Sequence, residues 1–129
     1  MDTRALTRPA APRKLRLTLT AGAAAAASRN EVRTAIRLWD VPVDPAVAVL
    51  LTGELVTNAL RHGTGKTIEL VVSCAYGQLQ VDVYDTSPAM PARAGTVTGA
   101  ELMLLDALSS SWGYHRTPMG RAGYFTLMF

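Results

Sequence analysis

Leu51-Thr52-Gly53-Glu54-Leu55-Val56-Thr57-Asn58-Ala59-Leu60-Arg61-His62 lies in a run opened by Asp44-Pro45 and closed by Gly63-Thr64-Gly65. Aspartate is a favoured N-cap, and proline is pre-set for the first helical position. The run therefore predicts a helix that starts at Pro45 and continues to about Arg61. Glu54 and Asn58 are four residues apart and share one face of it. Val47, Leu51 and Leu55 make that side otherwise largely apolar. A carboxylate half-buried there costs free energy unless it has a partner or a task. Glutamate can act as a base toward water or a hydroxyl, and an asparagine carboxamide oxygen is a hard, neutral ligand suited to Mg²⁺. The alternative is a Glu–Asn pair on a solvated helix face.

Upstream, Leu15, Leu17 and Leu19 alternate with Arg16, Thr18 and Thr20, the period of a half-buried strand. Gly22 breaks it and the alanines begin a helix, although Ser28 and Glu31 have capping-box spacing and offer a later start. Val32, Ala35, Ile36 and Trp39 form its apolar stripe, and Asp40 to Pro42 end it. Downstream, residues 67–75 and 79–84 are β-rich around Tyr76-Gly77-Gln78, a hairpin signal. Asp85-Thr86-Ser87-Pro88 follows, then a Pro/Ala/Gly/Thr loop over 89–99. Leu102, Leu105 and Leu108 mark a third helix, and strands over about 111–116 and 122–129 flank a turn at Pro118-Met119-Gly120-Arg121. Helices and strands come in blocks, which predicts a two-layer α/β sandwich: a mixed, mostly antiparallel sheet with helices on one face. The other face is left for solvent or a partner.

With 129 residues, 49% of them hydrophobic, the chain holds one domain and is too apolar to be disordered. A single cysteine, Cys74, excludes an internal disulfide framework, and His62 and His115 leave little for a histidine-built metal site. The net charge of +3 is uneven. Residues 1–14 read as a basic, flexible tail, and the chain beyond Arg16 carries eight basic against nine acidic residues. That near-neutral body argues against direct nucleic-acid binding. Basic residues before the alanine run look faintly like a signal peptide, but Arg16 and the strand period speak against an apolar leader, and no run has the length of a membrane span. The expectation is a cytoplasmic protein with no membrane contact.

Asp85-Thr86-Ser87-Pro88 closes the strand Val81-Asp82-Val83-Tyr84. Turn chemistry alone accounts for such residues, but a buried aspartate there could also accept a hydrogen bond from adenine's exocyclic amine. Taken with residues 51–62, the sequence resembles the GHKL-type ATPase (Bergerat) fold of histidine kinases and gyrase. It is most similar to the small anti-sigma-factor serine kinases. Residues 51–62 look like that family's N box and Asp85-Thr86-Ser87-Pro88 like its adenine box. Leu102-Met103-Leu104-Leu105-Asp106-Ala107-Leu108 with Trp112-Gly113 resembles the helix after the ATP lid, and Gly120-Arg121-Ala122-Gly123-Tyr124-Phe125 the closing strand. The resemblance spans residues 15–129.

It implies ATP and Mg²⁺ as cofactors. Glu54 would be the general base and Asn58 the Mg²⁺ ligand. Arg61 and His62 would lie near the phosphates, Asp85 and Ser87 at the adenine, and Gly99 and Leu102 at the lid, while Thr126 would support Asp85 through water. It implies a protein serine kinase that regulates transcription by binding a sigma factor or phosphorylating an anti-anti-sigma (STAS-type) partner, with a homodimer as a further expectation. The chain departs from the family at the lid, where Gly99-Ala100-Glu101-Leu102 replaces Gly-x-Gly-Leu. Glycine there lets the backbone approach phosphates closely, whereas Glu101 adds bulk and negative charge. The closing Gly-Lys-Thr is Gly120-Arg121-Ala122. These departures open a second reading: a non-catalytic protein-binding module on the same fold, with a degenerate nucleotide lid.

Overall fold

The computed structural model describes residues 11–63, 65–88 and 99–129, with side chains from Leu102 onward in the last stretch. Strand β1 (Arg13–Thr20) leads directly into helix α1 (Ala21–Leu38). Arg13 and Lys14, expected in the tail, already pair with Cys74 and Ser73. Helix α1 starts at Ala21, whose N–H donates to the Lys66 carbonyl at 2.8 Å. Ser28 is therefore interior to the helix, buried, with its hydroxyl on the Ala25 carbonyl at 3.1 Å. Its capping-box spacing does not mark a helix start.

Helix α2 (Pro45–His62) begins as its sequence predicts, with Asp44 accepting from the Ala46 N–H at 2.9 Å. It ends where the Gly63 N–H reaches the Ala59 carbonyl at 2.8 Å. Strands β2 (Thr67–Ala75) and β3 (Gln78–Asp85) form the expected hairpin. Gly77 takes φ +72°, a left-handed turn conformation that favours glycine. Helix α3 (Gly99–Leu108), β4 (Ser111–Thr117) and β5 (Gly120–Met128) follow.

The sheet order is β1-β2-β3-β5-β4. A mixed sheet was expected, but all four pairings are antiparallel. The reason is topological. The β3–α3–β4 crossover joins strands that run the same way, but β5 turns back and inserts between them. No parallel pair of neighbours remains.

The period-2 rule sorts the two faces. Leu70, Val72, Leu79, Val81, Val83, Phe125 and Leu127 point to the helices and are buried with Val32, Ile36, Leu51, Leu55, Leu102 and Leu105. Each such side chain contributes about 1.5–3 kcal/mol by leaving water. Residues of opposite parity, such as Glu69, Ser73, Gln80 and Tyr84, form the polar face, where Arg16 is ion-paired with Glu69. Among the described residues no helix is long and apolar enough to cross a membrane.

Candidate functional site

The C-terminal half of α2, the end of β3 and the start of β5 meet at one end of the sheet. Two close approaches bring them together. The Gly65 N–H donates to Thr86 Oγ1 at 2.8 Å, tying the loop after α2 to the end of β3. A Cβ on Gly120 would stand 2.3 Å from the Asp85 carbonyl oxygen, so only glycine lets β5 begin so near to β3.

Asp85 and Ser87 are buried there. The Asp85 carboxylate accepts from the Ser87 N–H at 2.7 Å and from Arg121 Nε at 3.0 and 3.1 Å. Both charged side chains are almost wholly out of water, at 3% and 2% exposure for Asp85 and Arg121. The Arg121 guanidinium also lies 5.0 Å over the Tyr114 ring, a cation–π distance. One of its terminal nitrogens reaches the Asn58 carbonyl at 3.5 Å. Asn58 is itself 3% exposed and donates from Nδ2 to the Tyr114 hydroxyl. Burial pushes the Tyr114 phenol above its ordinary value, against the opposing effects of Asn58 and Arg121.

One atom in this cluster is unmatched. Asn58 Oδ1 is buried and has no hydrogen-bond partner among the described residues. A buried polar atom without a partner costs about 1–3 kcal/mol, so such atoms ask for an occupant such as water, an ion or a ligand group. A carboxamide oxygen fits a hard cation such as Mg²⁺. Among the described residues no group of three His, Cys, Asp or Glu could hold a metal. The fit of an adenine is less open, because the Asp85 carboxylate already accepts from Arg121 and Ser87.

The remaining expected residues fall in several places. Glu54 stays on the outer side of α2, partly exposed, and lines a groove with Arg29 and Arg33 while Asn58 points inward. Arg61 and His62 are exposed at the end of α2. Leu102 is a core residue of α3, and Gly99 is that helix's first residue. Thr126 is not brought to Asp85. It pairs with Gln80, faces the polar side of the sheet and shares a 2.6 Å hydrogen bond with Ser111. Its parity along β5 is opposite to that of Arg121, so the two leave the sheet on opposite faces. The side chain of Glu101 and the loop over 89–98 lie outside the described residues.

The chain matches no protein-family model and no curated protein.

Arg121 and Tyr114 were missed as members of the site. A signal was available for Arg121: it has the same parity as Gly123, Phe125 and Leu127, which marks it as inward-facing. Its partner could not be read off, since Asp85 is opposite Arg121 only through the β3–β5 register.

Proposed function

We propose that this chain is a regulatory domain of GHKL type that binds Mg-ATP weakly and controls transcription through a protein partner, as the anti-sigma serine kinases it resembles do. The observation that carries this reading is the buried Asn58 oxygen, without a partner among the described residues and linked to Asp85 through Arg121 at the junction of α2 and β3. In this reading Asn58 takes the metal, Asp85 and Ser87 line the base, and Arg61 and His62 stand toward the phosphates. Phosphoryl transfer needs mainly positioning and charge neutralisation. Glu54 would serve as base only toward an acceptor serine presented from outside, because it lies on the outer side of α2. The partner would be a sigma factor or an anti-anti-sigma protein in the cytoplasm.

A second reading, a protein-binding module without nucleotide, is favoured by the Asp85–Arg121 pair. An adenine amine would have to share a carboxylate that a buried guanidinium already engages. Isothermal titration of the full chain with Mg-ATP, Mg-GTP and adenosine separates the two. The first reading expects dissociation constants between about 0.1 and 5 mM for Mg-ATP, preference for adenine, and weakening of Mg-ATP more than adenosine in Asn58→Ala. Absence of heat at millimolar nucleotide, on protein that melts cooperatively, establishes the second.

A further inference from the structure

We propose that the outer groove between α1 and α2 is a docking site for an acidic amphipathic helix of a partner protein. This deepens the partner-binding half of the reading above, and of the residues given nucleotide-dependent roles there only Glu54 lines the groove.

Arg29, Arg33 and Arg37 recur every four residues along α1. They form a ridge with one guanidinium per turn, about 6 Å apart along the axis. All three are exposed, and among the described residues none of their side chains forms an ion pair or a hydrogen bond. Beside the ridge the surface is hollowed. One hollow of about 480 Å³ has Arg29 and Arg33 on one wall and Ala46, Val49 and Leu50 on the other. A second, of about 560 Å³, lies between Arg33, Arg37 and the apolar side chains of Ile36, Val41 and Val43. Leu50 keeps 43% of its surface in water. Arg33 borders both hollows.

The chemistry of this strip selects its occupant. Arginine is suited to bidentate capture of carboxylates, and a ridge spaced by helical turns matches a second helix bearing Glu or Asp at the same spacing. The apolar floor takes leucine-like anchors, the usual mode of a helix in a groove. A phosphate backbone fits less well. It has no apolar side chains to offer the floor formed by Val41, Val43, Val49 and Leu50, and a chain with eight basic and nine acidic residues beyond Arg16 supplies no extended positive field along a polyanion.

The test uses the full chain without nucleotide, so its outcome is independent of the ATP titration. The probe is a fluorescein-labelled synthetic peptide of about twenty residues, long enough to form helix, with glutamates on three successive turns beside leucines. Anisotropy is expected to give a micromolar dissociation constant at low salt. Arg33→Glu should weaken it at least about tenfold and Leu50→Ser about fivefold, since Arg33 borders both hollows and Leu50 supplies apolar contact. Thermal melts confirm that each variant is folded, and Arg37→Glu replaces Arg33→Glu if the latter is not. Failure of the wild type to bind the peptide overturns the proposal. So does equal binding of a charge-matched peptide with serines in place of the leucines, or unchanged binding to a folded arginine variant. A single-stranded oligonucleotide that binds more tightly than the peptide, and is lost with the same arginine, assigns the groove to nucleic acid and overturns it as well.

Discussion

Removing one partner of the Asp85–Arg121 pair is the single perturbation expected to cost this fold most. Water cannot screen the charge left behind, because the two side chains are only 3% and 2% exposed. Breaking a buried ion pair from one side typically costs about 3–5 kcal/mol. Arg121→Met should fall at the upper end. It leaves Asp85 with the Ser87 N–H and also removes the guanidinium from the Tyr114 ring, a contact worth about 0.5–2 kcal/mol. Asp85→Asn should fall at the lower end, near 3 kcal/mol by the same ~3–5 kcal/mol scale, because an amide oxygen still accepts from the guanidinium. For a domain of this size each kcal/mol moves the melting temperature by roughly 3–5 °C, so shifts of about 10–20 °C are expected. The double variant leaves no buried charge and should cost about 2–3 kcal/mol less than the sum of the singles. Urea unfolding followed by the fluorescence of Trp39 and Trp112 measures all four proteins. A single variant that loses under about 1 kcal/mol, or a double variant equal to the sum, refutes the pair as a coupled buried element.

Gly120→Ala should destabilise by about 1–3 kcal/mol or more, because the new Cβ meets backbone atoms of Asp85 and Thr86 at 2.3 and 2.7 Å; a calorimetric melt reads it. Asp44→Ala should cost about 0.5–2 kcal/mol through loss of the α2 cap, with no change in the secondary structure seen by circular dichroism. Asp82 predicts a pH dependence. Burial raises its carboxyl above the ordinary 3.8, against a hydrogen bond from Gln80 and nearby cations. Between 3.8 and the raised value the folded chain holds more protons than the unfolded one, so this group's contribution to stability falls as pH rises through that window. Asp82→Asn should therefore be more stable than wild type at neutral pH, with the advantage fading as pH falls toward 3.8. Urea titrations at several pH values check this, and a pH-independent difference removes the burial argument.

Local patterns carried much of the fold. Leu15, Leu17 and Leu19 announced β1, Asp44-Pro45 announced α2, and Tyr76-Gly77-Gln78 announced the β2–β3 hairpin. Each is a short-range matter of period or turn chemistry. Ser28 misleads because its spacing fits a cap, whereas the helix start is set by a contact from Ala21 to Lys66 across the fold. Sheet direction was misjudged because insertion of β5 between β3 and β4 is a global choice. In the site, Asn58 and Asp85 were legible as residues, and their burial, with Asn58 bonded to the half-buried Tyr114, is a finding of the structure. Arg121 was read as part of the turn before the last strand, so its inward parity went unused, and its partner is 36 residues away. Thr126 was placed beside Asp85 although alternation along β5 sends it to the other face.

The position of β5 also bears on how the chain is made. Strands β1, β2 and β3 and both long helices are synthesised before β5. Until then β3 is an edge, with the amides and carbonyls that will face Arg121 to Met128 unpaired. Synthesis of the roughly forty residues from Asp85 to the end of β5 takes on the order of 2–8 s at ordinary translation rates. Once clear of the ribosome, and until β5 docks, β3 offers an open edge backed by Leu79, Val81 and Val83, a template for pairing with another chain. A chain cut after Thr117 keeps that edge open for good, and it should aggregate more than the chain that carries β5.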